Sequence, residues 1–288
     1  MRKISTLAFA SAILAASGLA SASAQAAGSI VTYVSGKGAD SGSCTPQSSP
    51  CRSFAYALSQ TSAGGEIKAL DPDGFGPVTI TQSVSLIGVP GAGIDRTSGT
   101  HITINAGATD SVTIANLILD GGGAATNGIY FNTGGSLTIK NCLVQNFTGT
   151  GIWLFPSGPA IFLIANVVAT ANHVAGIWIE TPASASANLD HVIATSNGTG
   201  VGAEIITGGS LFVTVVDSIA SNNAGDGFVN EGGAIVLGLA QSTAAQNGVQ
   251  KGGYGVDCYG TCQSAGNNFI YGNASGNVNG TLTNVGTQ

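Results

Sequence analysis

The feature of the sequence that most constrains the fold is a repeat of 24 to 26 residues, marked by asparagine and glycine. One series of landmarks keeps this period: Asn146, Asn172, Asn197, Asn223, Asn247 and Asn273. Two further series keep nearly the same period: Asn116, Asn141, Asn166, Asp190 and Asp217; and Gly128, Gly151, Gly176, Gly202, Gly227 and Gly255. Between them, apolar residues alternate with polar ones, which excludes a helical repeat with its period of about 3.6. The repeat therefore predicts coils of three short strands and three turns.

Coils of this length predict a parallel β-helix with an apolar bore. Each strand then lies about 4.8 Å from the equivalent strands of the neighbouring coils and pairs with them in parallel. Asparagine suits the turns because it tolerates left-handed backbone angles, and asparagines stacked on successive coils can hydrogen-bond to one another. The sequence leaves open which side chains of residues 117–119 face inward, because either choice gives an apolar core.

Several stretches of the sequence resemble a known family. They are LTIKNCLVQNFTGTGI at residues 137–152, the weaker copy VVDSIASNNAGDGF at 215–228, and TYVSGKGAD, PCRSFAYAL and GGEIKALDPDGFGPVTI at 32–40, 50–58 and 64–80. They are similar to the secreted right-handed parallel β-helix repeat proteins, a group that includes the pectate-lyase-like folds. The resemblance implies an all-β fold, a single-stranded right-handed parallel β-helix with a short N-terminal capping α-helix. It indicates architecture and leaves function open.

Residues 1–24 have the pattern of a secretory signal peptide. Arg2 and Lys3 precede a short apolar run that ends at the tripeptide ASA, where a signal peptidase would cut. The run is shorter than the ~20 residues that a bilayer-spanning helix needs, and no later segment of the sequence is long and apolar enough to span. The sequence therefore predicts an exported protein in the periplasm, on the cell surface or in the medium, without a membrane span.

Two further segments follow the predicted signal peptide. Residues 25–65 are expected to form an N-terminal cap with a short helix and a disulfide loop, and residues 66–288 the β-helix with a thin C-terminal coil and tail. Ser53 is placed to cap the helix, and Gly64 and Gly65 to end it. Such a lid would cover the apolar core and the unpaired strand edges that an open solenoid end exposes.

The five cysteines are expected to staple the two ends of the fold. Cys44 and Cys51 enclose a short loop, and Cys258 and Cys262 lie close together near the other end, so each pair is expected to form a disulfide outside the cell. Cys142 remains as a free, buried thiol. No histidine lies near either pair at the spacing of a zinc site, so the sequence predicts no metal.

Charge is sparse along the sequence. Eight Lys and Arg stand against fourteen Asp and Glu, which gives a formal net charge of −6 at pH 7. So few basic residues do not form the positively charged surface that nucleic acids require, and a nucleic-acid partner is not expected.

Two columns of outward side chains are predicted on one sheet. Overlaying residues 126–137 on residues 200–211 aligns the shared TGGSL and sets the register, and the residue after each inward apolar position then points outward. The first predicted column contains Tyr130, Trp153, Trp178, Glu204 and Val229. The second, two residues further on, contains Asn132, Phe155, Glu180, Ile206 and Glu231. The first column holds both tryptophans of the chain.

These columns predict a carbohydrate-binding surface. Flat aromatic faces about 4.8 Å apart can bury the apolar faces of pyranose rings, while amide and carboxylate groups beside them hydrogen-bond to hydroxyls. The alternatives are an aromatic ladder that only stabilises the sheet, and the interface of a homo-oligomer. The predicted ligand-binding residues are Tyr130, Trp153, Trp178, Phe155, Asn132, Glu180 and Glu204.

The sequence lacks the catalytic motifs that the resemblance implies. Lyases of this fold hold calcium between clustered carboxylates and use a basic residue as the proton acceptor, and related hydrolases use three aspartates. Here NTG stands at residues 132–134, where a hydrolase would carry an aspartate. The arginines that follow the signal peptide, Arg52 and Arg96, fall outside the predicted aromatic sheet.

Carboxylates on neighbouring coils leave catalysis open as an alternative. Glu180 and Glu204 are expected one position out of column and roughly 5 to 8 Å apart, with Glu231 as a third candidate. No cofactor is expected; weak calcium binding is the alternative, although the GGxGxD repeat is missing. The sequence thus favours a secreted, non-catalytic β-helix that binds a polysaccharide or cell-surface partner. The competing functions are a polysaccharide lyase or glycoside hydrolase on the same sheet, and a structural or oligomeric surface protein.

Overall fold

The computed structural model describes residues 28–286. The predicted signal peptide lies outside the described residues. The described chain has one helix and 26 strands. In chain order they are β1 Ser29–Val34, α1 Phe54–Gln60, β2 Thr61–Ala69, β3 Val78–Ile80, β4 Val84–Ile87, β5 Gly93–Ile94, β6 Thr100–Asn105, β7 Ser111–Ala115, β8 Ile118–Asp120, β9 Asn127–Thr133, β10 Ser136–Lys140, β11 Leu143–Gln145, β12 Ile152–Leu154, β13 Ala160–Thr170, β14 Ala175–Thr181, β15 Ala185–Thr195, β16 Thr199–Ile205, β17 Leu211–Val216, β18 Ile219–Ser221, β19 Phe228–Glu231, β20 Ile235–Ala240, β21 Thr243–Ala245, β22 Tyr254–Cys258, β23 Thr261–Ser264, β24 Phe269–Tyr271, β25 Gly276–Asn279 and β26 Leu282–Asn284.

The strands form two parallel sheets that wind around one bore. Sheet 1 has nine strands, one from each successive coil: β3, β6, β9, β12, β14, β16, β19, β22 and β25. Sheet 2 has the other seventeen and covers the remaining two faces of the coil. Sheet 2 bends at the corner between these two faces. β13 continues through this corner, since it pairs with β10 before the corner and with β11 after it. The predicted all-β parallel β-helix is confirmed.

Alternating burial fills the bore with apolar side chains. In β13, for example, buried and more accessible residues alternate on each side of the corner. Leu117 and Leu119 are both buried, whereas Ile118 is exposed, which answers the question of register that the sequence left open. Burial of such side chains stabilises the fold by about 1.5–3 kcal/mol each, before the cost of ordering the chain.

One corner of the coil is built from residues in the left-handed backbone conformation. Asn116, Asn141 and Asn166 have φ angles of 59°, 53° and 54°, as expected for asparagine at a tight turn. In the next coil this position belongs to His191, at φ 53°, and then to Asp217. The prediction that Asp190 occupies the corner was therefore wrong by one residue.

A ladder of buried asparagines forms a second corner. Asn172, Asn197, Asn223 and Asn247 each donate a hydrogen bond from Nδ2 to Oδ1 of the equivalent asparagine in the next coil, the last to Asn273, over 2.9 to 3.2 Å. Each Nδ2 also donates to a backbone carbonyl. Asn146 does not belong to this ladder, contrary to the prediction. Phe147 takes that place, and its N–H donates to Oδ1 of Asn172 over 3.2 Å.

The N-terminal end is covered by α1. Oγ of Ser53 accepts a hydrogen bond from the N–H of Tyr56, and Phe54, Ala57 and Leu58 are buried. The helix ends at Gln60, since Thr61 is extended and its hydroxyl donates to the carbonyl of Ala57. The predicted stop at Gly64 and Gly65 was wrong, because both glycines lie within β2.

The cysteines pair as the sequence predicts. Cys44 is bonded to Cys51 and Cys258 to Cys262, while Cys142 is free and buried. Burial raises the pKa of the Cys142 thiol to about 11, so the thiol stays protonated at neutral pH. Between residues 28 and 286 no helix has the length and apolar character needed to cross a bilayer.

Candidate functional site

The three largest predicted site residues stand in register on sheet 1. Trp153 on β12 pairs with Tyr130 on β9 and with Trp178 on β14, and all three side chains point away from the bore. The residue in register with Trp178 on β16 is Gly202, and Glu204 lies two residues further along. The prediction that Glu204 continues the aromatic column was therefore wrong.

The error comes from the TGGSL copy, which is two residues out of register in the structure. Leu137 stacks through Phe162 and Ala187 on Val213, whereas the sequence alignment placed it on Leu211. A shift of two residues preserves which side chains face outward, because strand side chains alternate with a period of two. The same shift places Gly202 on the outer face of sheet 1. The prediction that Gly202 belongs to the glycine series was therefore wrong: Gly200 occupies that position, and its backbone lies close to that of Gly227.

We call Tyr130, Trp153, Phe155 and Trp178 the aromatic cluster. The ring centroids of Tyr130 and Trp153 are 4.9 Å apart at an interplanar angle of 42°, and those of Trp153 and Phe155 are 5.9 Å apart at 34°. All four side chains are partly exposed. The cluster therefore presents ring surface to solvent on three neighbouring coils.

Gly202 provides the space into which the Trp178 indole extends. A Cβ atom at this position would lie 2.0 Å from Cζ3 of Trp178. No side chain fits there, so the indole rests directly on the backbone of β16.

Glu180 joins the aromatic cluster to its polar surroundings. Its carboxylate accepts a hydrogen bond from Nε1 of Trp153 over 3.1 Å. Partial burial raises the pKa of Glu180, the indole hydrogen bond opposes this, and the neighbouring Glu204 raises it further. The carboxylate thus fixes the orientation of one indole and keeps further acceptor capacity for a ligand.

We call Glu180, Glu204 and Glu231 the acidic column. They are directly in register on β14, β16 and β19, so the expected offset between Glu180 and Glu204 was wrong, as was the expected place of Ile206 in this column. The coil spacing puts successive backbone positions about 4.8 Å apart. Burial raises the pKa of Glu231, and Glu204 raises it further.

Two aspartates that the sequence reading missed add negative charge beside the acidic column, and both raise the pKa of Glu231. Asp257 on β22 is in register with Val229 and buried, and Nδ2 of Asn279 donates to it over 2.8 Å. Asp226 accepts a hydrogen bond from the N–H of Tyr254, and burial, followed by Asp257, raises its pKa. The sequence could not assign Asp257 to this sheet position, because the coils differ in length. Only the strand pairing shows that Asp257 follows Val229 in register.

Asn132 lies on the same outer face as the cluster. Its Nδ2 donates to Oδ1 of Asn105 over 3.0 Å, and its backbone carbonyl accepts from Ser157. The side-chain carbonyl and the second N–H of the Asn132 amide remain for a ligand.

A groove of ≈ 430 Å³ runs between the two indoles and the neighbouring corner. Its lining residues are Thr126, Asn127, Gly149, Thr150, Trp153, Val174, Trp178, Glu180 and Thr199. Two larger depressions, of ≈ 630 and ≈ 650 Å³, lie at other places on the coil and contain no tryptophan. The groove beside the cluster is the depression in which aromatic faces, hydroxyls and a carboxylate meet.

Charge is distributed unevenly over sheet 1. None of its nine strands contains a lysine or an arginine, while they contain the acidic column and Asp257. Away from this sheet, the described residues include one group of three side chains whose ligand atoms all lie within 4.8 Å of one another: Asp190, His191 and Asp217.

Comparisons with known proteins agree with this architecture. Residues 102–275 match the family model of the right handed beta helix region. The crystal structure of pectate lyase Pel9A is similar with a TM-score of 0.53 and 14% identity, over 92% of this chain and 83% of that one. The A-modules of the Azotobacter vinelandii mannuronan C-5 epimerases AlgE6 and AlgE4 share 14% identity with TM-scores of 0.37, covering 76% and 78% of this chain and 90% and 89% of theirs. No curated protein matches the sequence.

The family match spans more than half of the chain. The likeness to pectate lyase Pel9A, at 14% identity, adds a common fold. The chain therefore belongs to the right-handed β-helix family, with a pectate-lyase-like fold.

Proposed function

We propose that the protein is an exported, non-catalytic β-helix that binds a polysaccharide through the aromatic cluster and its groove. The observation that carries this is the register of Tyr130, Trp153 and Trp178, which lines up partly exposed rings along the axis. Such rings bury the apolar faces of sugar rings, and the carboxylate of Glu180 can accept hydrogen bonds from hydroxyls. Two disulfides suit a protein outside the cell.

The charge of sheet 1 favours an uncharged polysaccharide over an acidic one. A polyuronate such as pectate would meet the acidic column and Asp257 without any cation on the nine strands. The negative charges of the polyuronate and of sheet 1 would repel each other and weaken binding. Calcium held by the acidic column would reverse this preference, so binding should be measured with calcium and with a chelator.

The binding experiment is affinity electrophoresis in gels that contain neutral or acidic polysaccharides. We expect the wild type to be retarded by a neutral polysaccharide, and Trp178→Ala to migrate freely with an unchanged melting temperature. Phe212→Ala is the matched control, because Phe212 is an exposed aromatic residue on β17 of sheet 2. Wild-type protein that no gel retards would refute the proposal.

The competing interface function makes a different prediction. If the cluster joined copies of the chain, light scattering would show an oligomer that Trp153→Glu converts to a monomer. A wild-type monomer that binds polysaccharide supports the proposed function.

A second candidate, cleavage of a glycosidic bond, is favoured by the acidic column. The backbones of adjacent coils are about 4.8 Å apart, so neighbouring carboxylates of the column can reach the ~5–5.5 Å separation of retaining glycosidases, and the raised pKa of Glu180 suits a general acid. Release of reducing ends, or of unsaturated products for a lyase, would establish this activity. Its loss in Glu180→Gln, with binding retained, would assign the acid.

A further inference from the structure

The corner of sheet 2 that contains His191 differs from the rest of its column. Successive coils place Asn116, Asn141, Asn166, His191, Asp217 and Gln241 at this left-handed position. At the first two coils the amides pair with each other, with Nδ2 of Asn141 donating to Oδ1 of Asn116 over 3.0 Å. Two coils later the column has an imidazole and a carboxylate, which are metal-ligating groups.

Three such groups converge there. Nδ1 of His191 lies 2.7 Å from Oδ1 of Asp190, and the ligand atoms of Asp190, His191 and Asp217 all lie within 4.8 Å of one another. The stacking of coils causes this, because Asp190 is in register with Val216, the residue before Asp217. Residues 190 and 217 are partly buried and His191 is exposed, so the group is open to an ion from solvent.

The charges at this corner are not balanced by the protein. Asp190 has Ala165 and Val216 on the adjacent coils, and the first cation in its column is Lys140, two coils away. Within residues 28–286 Asp217 forms no salt bridge. One imidazole therefore faces two carboxylates, which leaves room for a further positive charge.

We propose that Asp190, His191 and Asp217 bind a divalent transition-metal ion of the zinc type. Zinc accepts imidazole nitrogen together with carboxylate oxygen, and three protein ligands leave a coordination position for water. Calcium is disfavoured because it takes six to eight oxygen ligands. The site lies on sheet 2, so it is independent of the polysaccharide surface on sheet 1.

The test is calorimetric titration of ZnCl₂ into protein that has no histidine tag and has been treated with a chelator. His191→Asn and Asp217→Asn are informative variants, because the same corner accepts asparagine at positions 116, 141 and 166. We expect one zinc ion per chain in the wild type and an affinity at least about tenfold lower in both variants. Zinc should also raise the melting temperature of the wild type, because it binds the folded state.

His173→Asn is the control, since His173 is exposed and lies outside this group. It should bind zinc as the wild type does. The proposal is overturned if the wild type takes up no zinc, or if His191→Asn binds zinc with unchanged affinity. Calcium binding that is equal in the wild type and His191→Asn, without zinc binding, would also overturn it, since carboxylates alone would then hold the ion.

Discussion

The two halves of sheet 1 differ on the outside and match on the inside. From β9 to β22 the outward column is Tyr130, Trp153, Trp178, Gly202, Val229 and Asp257. The inward column beside it is Ile129, Ile152, Ile177, Val201, Phe228 and Val256, all buried and apolar. The first half therefore presents aromatic rings, and we call it the aromatic half. In the second half Gly202, Val229 and Asp257 are buried, and the more accessible groups are the carboxylates of Glu204 and Glu231, so we call it the acidic half. Both halves lie over a core of constant character.

This difference shows which positions the fold determines. Inward side chains must fill the bore, so every coil repeats an apolar residue there. Outward side chains have no such constraint, and their chemistry changes between β14 and β16. Glu180 belongs to both halves, because it accepts a hydrogen bond from Trp153 and stands in register with Glu204.

The largest expected effect is on stability, from an inward substitution. Ile177→Ala should lower the free energy of unfolding by about 2–5 kcal/mol, because it leaves a cavity in a fully buried site. Ile206→Ala makes the same chemical change at an exposed residue and should cost less than about 0.5 kcal/mol. Urea denaturation measures both. Equal losses would show that inward and outward positions are not energetically distinct.

The next effect is on binding, from the centre of the aromatic half. Trp153→Ala removes the ring that contacts Tyr130 and Phe155, and we expect at least about tenfold weaker polysaccharide binding, or ~1.4 kcal/mol. Trp153→Phe should be intermediate, because it keeps a ring and loses the N–H that binds Glu180. Calorimetry with a neutral oligosaccharide measures both affinities. Wild-type affinity in Trp153→Ala would remove the aromatic half from the binding site.

The architecture was predictable because its signals are local. Alternating apolar residues recur in successive coils, and asparagine occupies a turn in each coil from Asn116 onward, and each signal follows from backbone geometry alone. The alignment of Tyr130, Trp153 and Trp178 was also predictable, because the coils that connect them contain no insertion that lengthens the repeat.

Beyond Trp178 sequence reasoning failed, because the shared TGGSL indicates a register two residues away from the one in the structure. Ile177, Val201 and Phe228 are in register although they are 24 and 27 residues apart. Only hydrogen bonding between strands fixes such a register, so the stacking of Glu204 on Glu180 was not visible in the sequence. Asn146 was misassigned for a related reason, because asparagine serves both the left-handed turn and the buried ladder.

A smaller effect is expected at the boundary between the halves. Gly202→Ala should displace the Trp178 indole, because the new Cβ would lie 2.0 Å from the ring. In a Trp153→Phe background, Trp178 is the one remaining tryptophan, so a red shift of its fluorescence would report greater exposure to water. Polysaccharide affinity should fall several-fold. Gly208→Ala is the control, since open space surrounds Gly208, and an unshifted spectrum for Gly202→Ala would contradict the packing of this indole.

The smallest effect is electrostatic and concerns the acidic half. Glu204 raises the pKa of both Glu180 and Glu231, after burial as the main cause. A carboxyl whose pKa is higher in the folded than in the unfolded protein binds more protons when folded. Its contribution to stability is therefore complete below the unfolded value of about 4.3 and is lost as pH rises through the folded value.

Glu204→Gln should thus raise the stability at pH 7 by a few tenths of a kcal/mol, because it removes a like charge from between two others on adjacent strands. The gain should shrink in high salt and vanish at a pH below about 4, where Glu180 and Glu231, whose pKa values are raised, are protonated and carry no charge to repel. Glu66→Gln is a control of opposite sign, because Glu66 lies 2.8 Å from Lys68 on sheet 2 and its loss should destabilise at pH 7. Urea denaturation at both pH values measures the difference. Parallel pH profiles for the wild type and Glu204→Gln would mean that these three carboxylates do not interact, and the acidic half would then be three separate surface charges.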